Sequence, residues 1–544
     1  MERKIEETCH FTEGKEGEED NVNKGGIWTL GKGLTEPLGE LLTETDPRLT
    51  IYKCVVTSPK PVFTVVPKSV SATSCQPAVV NGRDTCNAYG NEPRRMGGVY
   101  CYQRPCESVY CDTGDGVARD LKYSRNAAEV KGRTVVFGRE DGFQTHVGSV
   151  KIYVNGKELS HSQGDLYTLD DSVGNVVGNA VGEGFYLSVM SESRVKTLFV
   201  NVIDRTVSVV DVGNEWGNVI AAGVDNGVLA LRVSNPVNPG GILLWDHGKG
   251  EVAEGSFSGV SLVPPVEGYL VEEDDPNQTW EYVNVGLPGK SRPSSPECII
   301  ILPPNHKNDS KTPLIVVPHG GPHSMTSSGY VPSYRFLSTL GYAILHVNYR
   351  GSVGFGDGYL DALPGNVGSM DVEDVKTATD KVAGIYNIDR ERIGVCGGSH
   401  GGFLSGHMVG QYPEVYKVAA MRNPVTNIAT MTTATDIRDW CDVEALGKYD
   451  FGRFKAAGKE ELGVMWDKSP VAHASKVTGK VLVAVGMRDL RVPPSQGLEY
   501  YHELRSRGVG VKLLRYEEDS HPLSKVDTEA DHWVNIALWF KEWL

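Results

Sequence analysis

IGVCGGSHGGF, residues Ile393–Phe403, is the stretch of sequence that decides the fold of the second half of the chain. A short apolar run ends in two glycines, then Ser399 and His400 are followed by two more glycines and by FLSGHMVGQY, which has the composition of a helix. This strand–turn–helix order is the setting of the G-x-S-x-G nucleophile elbow. Gly397 and Gly401 flank the serine where the backbone packs closely. We therefore predict that Ser399 is a nucleophile and that the N–H of His400 lies beside its hydroxyl.

Residues 295–544 alternate apolar strands with amphipathic helices. The apolar segments are CIIIL, PLIVVPHGG, YAILHVNYR, IGVCGG, KVAAM, KVLVAVG and VKLLRY. Nearly continuous apolar strands between helices are typical of a mostly parallel sheet that is covered on both faces. We expect these residues to form one doubly wound α/β-hydrolase domain.

Two polar residues after the elbow complete a catalytic triad in the chain order of this fold, serine, acid and histidine. Asp489 follows the strand KVLVAVG, and His521 follows the strand VKLLRY. The carboxyl ends of parallel strands are where α/β sites form. We predict that His521 is the general base and acid, and that Asp489 orients it. Asp519 lies too close to His521 in the loop to orient it easily, and we expect the His400 side chain to line the pocket.

An oxyanion hole needs two N–H donors, and the loop after an early strand supplies the second one. In PLIVVPHGGPH this loop contains HGG, from which we choose Gly321 as the donor, with Gly320 as the alternative. The other glycine-rich stretch, NYRGSVGFGDG, lacks the G-K-[ST] ending of a phosphate loop, and we interpret it as backbone packing beneath the site.

Composition restricts the function further. The net charge of −15 argues against a nucleic-acid partner, and no apolar run reaches the length of a membrane span. The first twenty residues are charged and contain no apolar core, so we do not interpret them as a secretory signal. Cys101, Cys106 and Cys111 are spaced by four residues, but no nearby pair completes a zinc site. We therefore expect the reduced thiols of a cytosolic protein.

The first half of the chain has a different pattern. Residues 1–25 are acidic and without periodicity, and we expect them to be disordered. Residues 26–290 contain many short apolar strands separated by Gly, Asn and Asp turns, as in KTLFVNVIDRTVSVVDV. We predict a β-propeller-like domain of about four to six blades, incomplete or divergent because its early part is irregular.

Several segments of the second half resemble one family closely. They are HGGPHS, NYRGSVGFG, GGSHGGF, RNPVTNIATM, TDIRDWC and GMRDLRVPPSQG. In this order they resemble the acylaminoacyl-peptidase branch of the prolyl oligopeptidase family of serine peptidases. The resemblance implies a hydrolase that removes an N-acylated, typically N-acetylated, residue from the N-terminus of short peptides. It also implies no metal and no organic cofactor, a propeller over the active site, a cytoplasmic location and a homo-oligomer.

The resemblance also assigns residues. Ser399, Asp489 and His521 match the family triad, and Gly321 and His400 match its oxyanion donors. Arg491 matches an arginine near the substrate pocket, although pairing with a structural carboxylate is the alternative. Trp440 in TDIRDWC is expected to contact the substrate.

The first domain departs from the family pattern of roughly seven blades. Two other functions stay open. One is that of a general esterase or another oligopeptidase of the same family, and the other is that of a non-catalytic propeller protein that binds partners.

Overall fold

The computed structural model describes residues 152–154, 159, 184–252, 278–286, 297–304, 306, 311–448 and 456–544 with their side chains. Outside these ranges it describes only the backbone of the strands named below, so the predictions for residues 1–25 and for the early propeller lie largely outside the described residues. The chain divides into two compact units, Met1–Pro77 with Gly90–Val99, and Ala78–Tyr89 with Tyr100–Leu544.

The first unit contains one antiparallel sheet, and two short ladders precede the main part of the second unit. The sheet has the order β1–β2–β4–β3, and β5 pairs with β6 and β7 with β8. The strands are β1 (Cys9–His10), β2 (Gly26–Leu30), β3 (Leu49–Thr57), β4 (Lys60–Pro67), β5 (Val79–Val80), β6 (Arg83–Asp84), β7 (Val109–Cys111) and β8 (Arg119–Leu121).

Antiparallel meanders of four strands follow along the chain. The strands are β9 (Tyr123–Val130), β10 (Arg133–Arg139), β11 (Ser149–Val154), β12 (Lys157–Glu158), β13 (Tyr167–Thr168), β14 (Val176–Val181), β15 (Gly184–Ser191), β16 (Arg194–Asn201), β17 (Thr206–Val209), β18 (Asn218–Asp225), β19 (Val228–Asn235), β20 (Asn238–Asp246) and β21 (Glu251–Val252). Consecutive pairing makes β9–β12, β14–β17 and β18–β21 three such meanders. A four-stranded meander is typical of a propeller blade. The expected all-β, propeller-like region is thus confirmed, while the blade count stays a prediction.

Both faces of β15 are buried, as they are in stacked blades. Successive side chains of a strand point to opposite faces. On β15, Phe185 and Leu187 pack in a cluster with Ile152 of β11, whereas Tyr186 packs with Leu229 of β19. β15 therefore lies between the β9–β12 and β18–β21 meanders.

The carboxy-terminal part of the second unit is built on one mixed sheet. Its strands are β22 (Trp280–Asn284), β23 (Glu297–Ile301), β24 (Thr312–Pro318), β25 (Ala343–Val347), β26 (Ile388–Gly398), β27 (Val418–Arg422), β28 (Lys480–Gly486) and β29 (Val511–Tyr516). The order is β22–β23–β25–β24–β26–β27–β28–β29. β22 and β23 pair antiparallel, β23 and β25 also pair antiparallel, and every later pairing is parallel. This is the predicted α/β-hydrolase sheet.

Helices cover both faces of this sheet. They are α1 (Pro332–Thr339), α2 (Asp357–Leu360), α3 (Met370–Ile385), α4 (His400–Gln411), α5 (Ile428–Met431), α6 (Arg438–Leu446), α7 (Lys459–Asp467), a 3₁₀ helix (Pro470–Lys476), α8 (Ser495–Ser506) and α9 (Val526–Trp543). Leu314 and Val316 of β24 pack in one core with residues of α3 and α4, and Ile315 and Val317 pack in a second core with residues of α9. Burial on both faces explains why the central strands are apolar without alternation. No helix in the described ranges has both the length and the apolar composition needed to cross a membrane.

The turn between β15 and β16 packs against the hydrolase part of the same unit. The carbonyl of Ser193 accepts hydrogen bonds from the N–H and the hydroxyl of Ser328, both at 2.8 Å. Asn348 donates to Ser193 Oγ at 2.9 Å, and Arg194 forms a 2.8 Å ion pair with Glu297. Asn348 directly follows β25, so this contact reaches the edge of the sheet on which the candidate site lies.

Candidate active site

Ser399 occupies a strained turn between β26 and α4. Its φ and ψ are 58° and −122°, a backbone conformation that residues other than glycine rarely adopt. A Cβ on Gly397 would lie 2.2 Å from the carbonyl oxygen of Gly401, and a Cβ on Gly401 would lie 2.3 Å from that of Pro318. The glycines of the motif are therefore required by close backbone approach. The geometry is that of a nucleophile elbow.

Asp489 and His521 form a hydrogen-bonded pair. Nδ1 of His521 lies 2.6 Å from Oδ2 of Asp489. Oδ1 of Asp489 accepts the N–H groups of Arg491 and Val492 at 2.8 and 2.9 Å. The carboxylate is buried, and both of its oxygens have donors. It can therefore fix the imidazole and stabilise it when it is protonated, which is the task of the acid in a triad.

Asp519, the acid that we considered less suitable, has another task. Its Oδ1 accepts the N–H of Ser520 at 2.8 Å and its Oδ2 accepts the N–H of Lys525 at 3.1 Å. Despite burial, these and further hydrogen bonds hold the pKa of its carboxyl below the ordinary value. Asp519 thus shapes the loop that carries His521.

Asn423 connects the elbow with the loop of the histidine. The carbonyl of the preceding residue, Arg422, accepts a hydrogen bond from the N–H of Ser399 at 2.9 Å. Asn423 Nδ2 donates to the carbonyls of Ser520 and His521 at 3.2 and 2.8 Å, and its Oδ1 accepts the N–H of Gly486 at 2.8 Å. One buried amide therefore ties together the ends of β27 and β28 and the loop after β29.

The sequence analysis gave Asn423 no role, although its motif was noted. A signal was present: Asn423 directly follows the strand next to the elbow, and asparagine tolerates the left-handed conformation, with φ of 41°, that it adopts here.

The HGG loop lies against the elbow. A Cβ on Gly320 would lie 3.4 Å from Cβ of Ser399, and Gly321 has φ of 122°. His400 is the first residue of α4, and the first N–H groups of a helix have no intrahelical acceptor. The amides that we predicted as oxyanion donors thus belong to two segments that meet beside Ser399.

The prediction that the His400 side chain lines the pocket was wrong. The ring is fully buried, and its Nε2 lies 2.9 Å from Oδ2 of Asp371. It stacks on Phe403 with ring centroids 4.7 Å apart. The reason is that the sharp turn at Ser399 directs the first side chain of α4 into the domain interior.

Trp440 and Arg491, the predicted substrate contacts, both make internal hydrogen bonds. Trp440 is 2% exposed, and its indole N–H donates to the carbonyl of Gly321 at 2.9 Å. Arg491 Nε donates to Oδ1 of Asp436 at 2.8 Å, in an ion pair whose side chains are 12% and 8% exposed. The alternative of a structural carboxylate partner for Arg491 is therefore realised, and contact of either residue with substrate stays a prediction.

His319 and His323 hold the HGG loop. Burial lowers the pKa of His319 to about 3, so that its ring is neutral, and its Nδ1 lies 2.7 Å from the carbonyl oxygen of Gly320. Nδ1 of His323 faces the carbonyl of Gly351 at 2.8 Å, and its Nε2 lies 2.9 Å from Oε1 of the buried Glu444. Burial opposes the charge of His323, but Glu444, together with the Gly351 carbonyl and the charge of Asp361, raises the pKa above its ordinary value.

Comparison with known proteins agrees with this geometry. Residues 331–544 match the model of the prolyl oligopeptidase family. The chain is 33% identical over 486 residues to the acylamino-acid-releasing enzyme of Mus musculus, covering 82% of this chain and 63% of the relative. It is 37% identical over 533 residues to acylamino-acid-releasing enzyme 1 of Oryza sativa, covering 84% and 65%. The chain therefore spans somewhat less than two thirds of the length of these relatives.

Solved structures show the same fold at low sequence identity. The acylaminoacyl peptidase of Pyrococcus horikoshii superimposes with a TM-score of 0.60 at 20% identity, over 78% of this chain and 65% of that one. Dipeptidyl peptidase 4 of Porphyromonas gingivalis gives 0.57 at 14% identity, over 76% and 55%. Residues 331–544 thus match the prolyl oligopeptidase family, and the solved structures share the fold that carries the elbow and the Asp489–His521 pair.

Proposed function

We propose that this protein is a serine peptidase that removes the N-acylated, typically N-acetylated, first residue from short peptides. The observation that carries the proposal is the hydrogen bond between His521 Nδ1 and Asp489 Oδ2, in a loop that Asn423 ties to the strand beside Ser399. The names of the relatives, which release acylamino acids, support the choice of substrate.

The first half of the reaction acylates Ser399. Its Oγ attacks the carbonyl carbon of the scissile peptide bond while His521 takes the hydroxyl proton. The carbonyl oxygen becomes an oxyanion that accepts hydrogen bonds from the N–H groups of His400 and Gly321, each donor contributing roughly 3 kcal/mol. The C–N bond then breaks, and His521 returns the proton to the leaving amine. The shortened peptide departs with a free amino terminus.

The second half hydrolyses the acyl-enzyme. His521 takes a proton from water, whose oxygen attacks the ester carbon. Collapse of the second tetrahedral intermediate breaks the bond to Ser399 Oγ, and His521 protonates the serine. The N-acylated amino acid leaves as a carboxylic acid. The reaction written in this way requires neither a metal ion nor an organic cofactor.

The location and assembly that the resemblance implies are part of the proposal. Cys298, Cys396 and Cys441 are buried and free, which fits the reducing cytoplasm. A homo-oligomer would be tested by sedimentation of the purified protein at several concentrations.

A chromogenic assay tests the proposed substrate class. Wild-type protein is incubated with N-acetyl-alanyl p-nitroanilide, with the matched anilide that has a free amino group, and with a short acyl ester. We expect cleavage of the acetylated anilide, none of the free one, and no activity in Ser399→Ala. Hydrolysis of the ester alone would contradict the proposal and favour a general esterase. Cleavage of free-amine substrates alone would favour another oligopeptidase of the family.

A further inference from the structure

Helix α6 (Arg438–Leu446) is attached to the HGG loop at two points one helical turn apart. The Trp440 indole N–H donates to the carbonyl of Gly321 at 2.9 Å, and Glu444 Oε1 lies 2.9 Å from His323 Nε2. Residues at i and i+4 share one face of a helix. One face of α6 therefore holds the loop on both sides of Pro322.

Both peptide groups that flank Gly321 are fixed by a ring nitrogen. The carbonyl of Gly320, which shares a peptide plane with the N–H of Gly321, faces Nδ1 of His319 at 2.7 Å. The carbonyl of Gly321 belongs to the next plane and accepts from Trp440. Gly321 has φ of 122°, where glycine is free to rotate because it has no Cβ. The contact of His319 with the Gly320 carbonyl thus fixes the plane that contains the Gly321 N–H, and the bond from Trp440 fixes the plane that follows it.

Trp440 also contacts the residue that carries the other donor. The edge of its ring meets the ring of His400, with centroids 5.9 Å apart and an interplanar angle of 69°. The His400 ring is held on its other sides by Phe403 and Asp371. The Trp440 side chain therefore contacts both segments that supply the oxyanion donors.

We propose that Trp440 is a positioning residue that aligns the N–H groups of Gly321 and His400, and that it acts without touching the substrate. The proposal rests on the proposed function, because it assumes that charge develops on an oxygen beside Ser399. It replaces the expectation that Trp440 forms part of the substrate pocket.

The variant Trp440→Phe tests this role, because it keeps an aromatic ring and removes the N–H donor. The matched control is Trp539→Phe on α9, since Trp539 is also buried, at 8% exposure, and its Nε1 has no partner among the described residues. Rates are expressed per active site, titrated to completion with a fluorophosphonate. A variant that is partly unfolded then shows fewer sites rather than a lower rate per site.

We expect Trp440→Phe to lower kcat on an acetylated anilide about tenfold, the effect of one lost hydrogen bond that matters in the transition state, with KM nearly unchanged. Affinity for an N-acetyl-peptide aldehyde, which forms a hemiacetal with an oxyanion at the serine, should fall by a similar factor. Affinity for the cleaved peptide product should not change. Trp539→Phe should match the wild type in every measurement.

A rise in KM with unchanged kcat would show that Trp440 contacts the substrate, and equal kinetics of both variants would overturn the proposal. If wild-type protein does not cleave acetylated anilides, the proposed function fails separately. In that case the positioning role is tested by the rate at which a fluorophosphonate labels Ser399, since phosphonylation also places charge in the oxyanion hole. A labelling rate of Trp440→Phe equal to that of the wild type would contradict the positioning role.

Discussion

The imidazole of His521 and the carboxylate of Asp489 lie 2.6 Å apart, although 32 residues separate them in the chain. The strands before them, β29 and β28, are parallel neighbours, so their carboxyl ends bring the two loops together. Asp489 is buried and receives two backbone N–H groups on its other oxygen. The pair is thus held by the sheet and not by local sequence.

Replacement of Asp489 by Asn should abolish most of the activity. An amide has nearly the same shape, but it cannot stabilise a protonated imidazole and it favours the wrong tautomer. We expect kcat on an acetylated anilide to fall about 10³- to 10⁴-fold, with little change in KM. Asp531→Asn is the control, because Asp531 is exposed on α9 and its carboxylate accepts a hydrogen bond from the Tyr516 hydroxyl at 2.8 Å. Full activity of Asp489→Asn would disprove the assigned role.

Replacement of Asn423 should impair both stability and catalysis. Asn423→Ala leaves the N–H of Gly486 and the carbonyl of His521 without their buried partner. Such losses cost about 1–3 kcal/mol of unfolding free energy. We also expect a lower kcat, because the loop that carries His521 is no longer held in place. Guanidinium unfolding and kinetics per titrated site measure the two effects. Asn366→Ala serves as the control, since Asn366 is exposed and bonds only to nearby carbonyls. A stable variant with wild-type kcat would contradict the bridging role.

The effects of replacing Arg491 and Asp436 on the unfolding free energy should be coupled. Their side chains are almost buried and form a 2.8 Å ion pair, so removal of either partner takes an opposite charge away from the other. We expect Arg491→Gln and Asp436→Asn each to lower the unfolding free energy, and the double variant to cost less than their sum. A double-mutant cycle measures this coupling. Should Arg491→Gln raise KM when Asp436→Asn does not, the arginine contacts substrate as well.

Acid should destabilise the fold through His346. Burial lowers the pKa of His346 to about 3, whereas an unfolded histidine titrates near 6.5. Between these values only the unfolded chain binds the proton, so this contribution is fully present above about pH 6.5 and is lost as the pH falls towards about 3. The slope should reach at most about 1.4 kcal/mol per pH unit. His346→Leu should flatten the dependence of unfolding free energy on pH, whereas the exposed His502→Leu should not. An unchanged slope in His346→Leu would contradict the assignment.

The sequence sufficed to place Ser399, Asp489 and His521 on strand ends of one sheet. Each follows an apolar strand, and parallel strands direct their carboxyl ends to one edge. The same reasoning places Asn423, which follows β27, at this edge of the sheet. The direction of its side-chain amide, however, depends on a left-handed backbone conformation that sequence alone does not reveal.

The contacts that sequence reasoning missed depend on packing between distant segments. Trp440 and Gly321 are 119 residues apart and meet because α6 packs beside the loop after β24. The inward direction of the His400 ring follows from the turn at Ser399, and Asp371 on α3 completes its surroundings. Apolar periodicity predicts which elements exist, but it does not predict which polar side chain reaches which carbonyl.

We propose that Ser399 releases N-acylated residues from short peptides. The most direct test is mass spectrometry of products from pairs of peptides of graded length that differ only in N-terminal acetylation. We predict that wild-type protein releases the N-acetyl amino acid from the short acetylated member of each pair, and that Ser399→Ala releases none. Release of the first residue from the free-amine peptides instead, or equal release by Ser399→Ala, would contradict the claim.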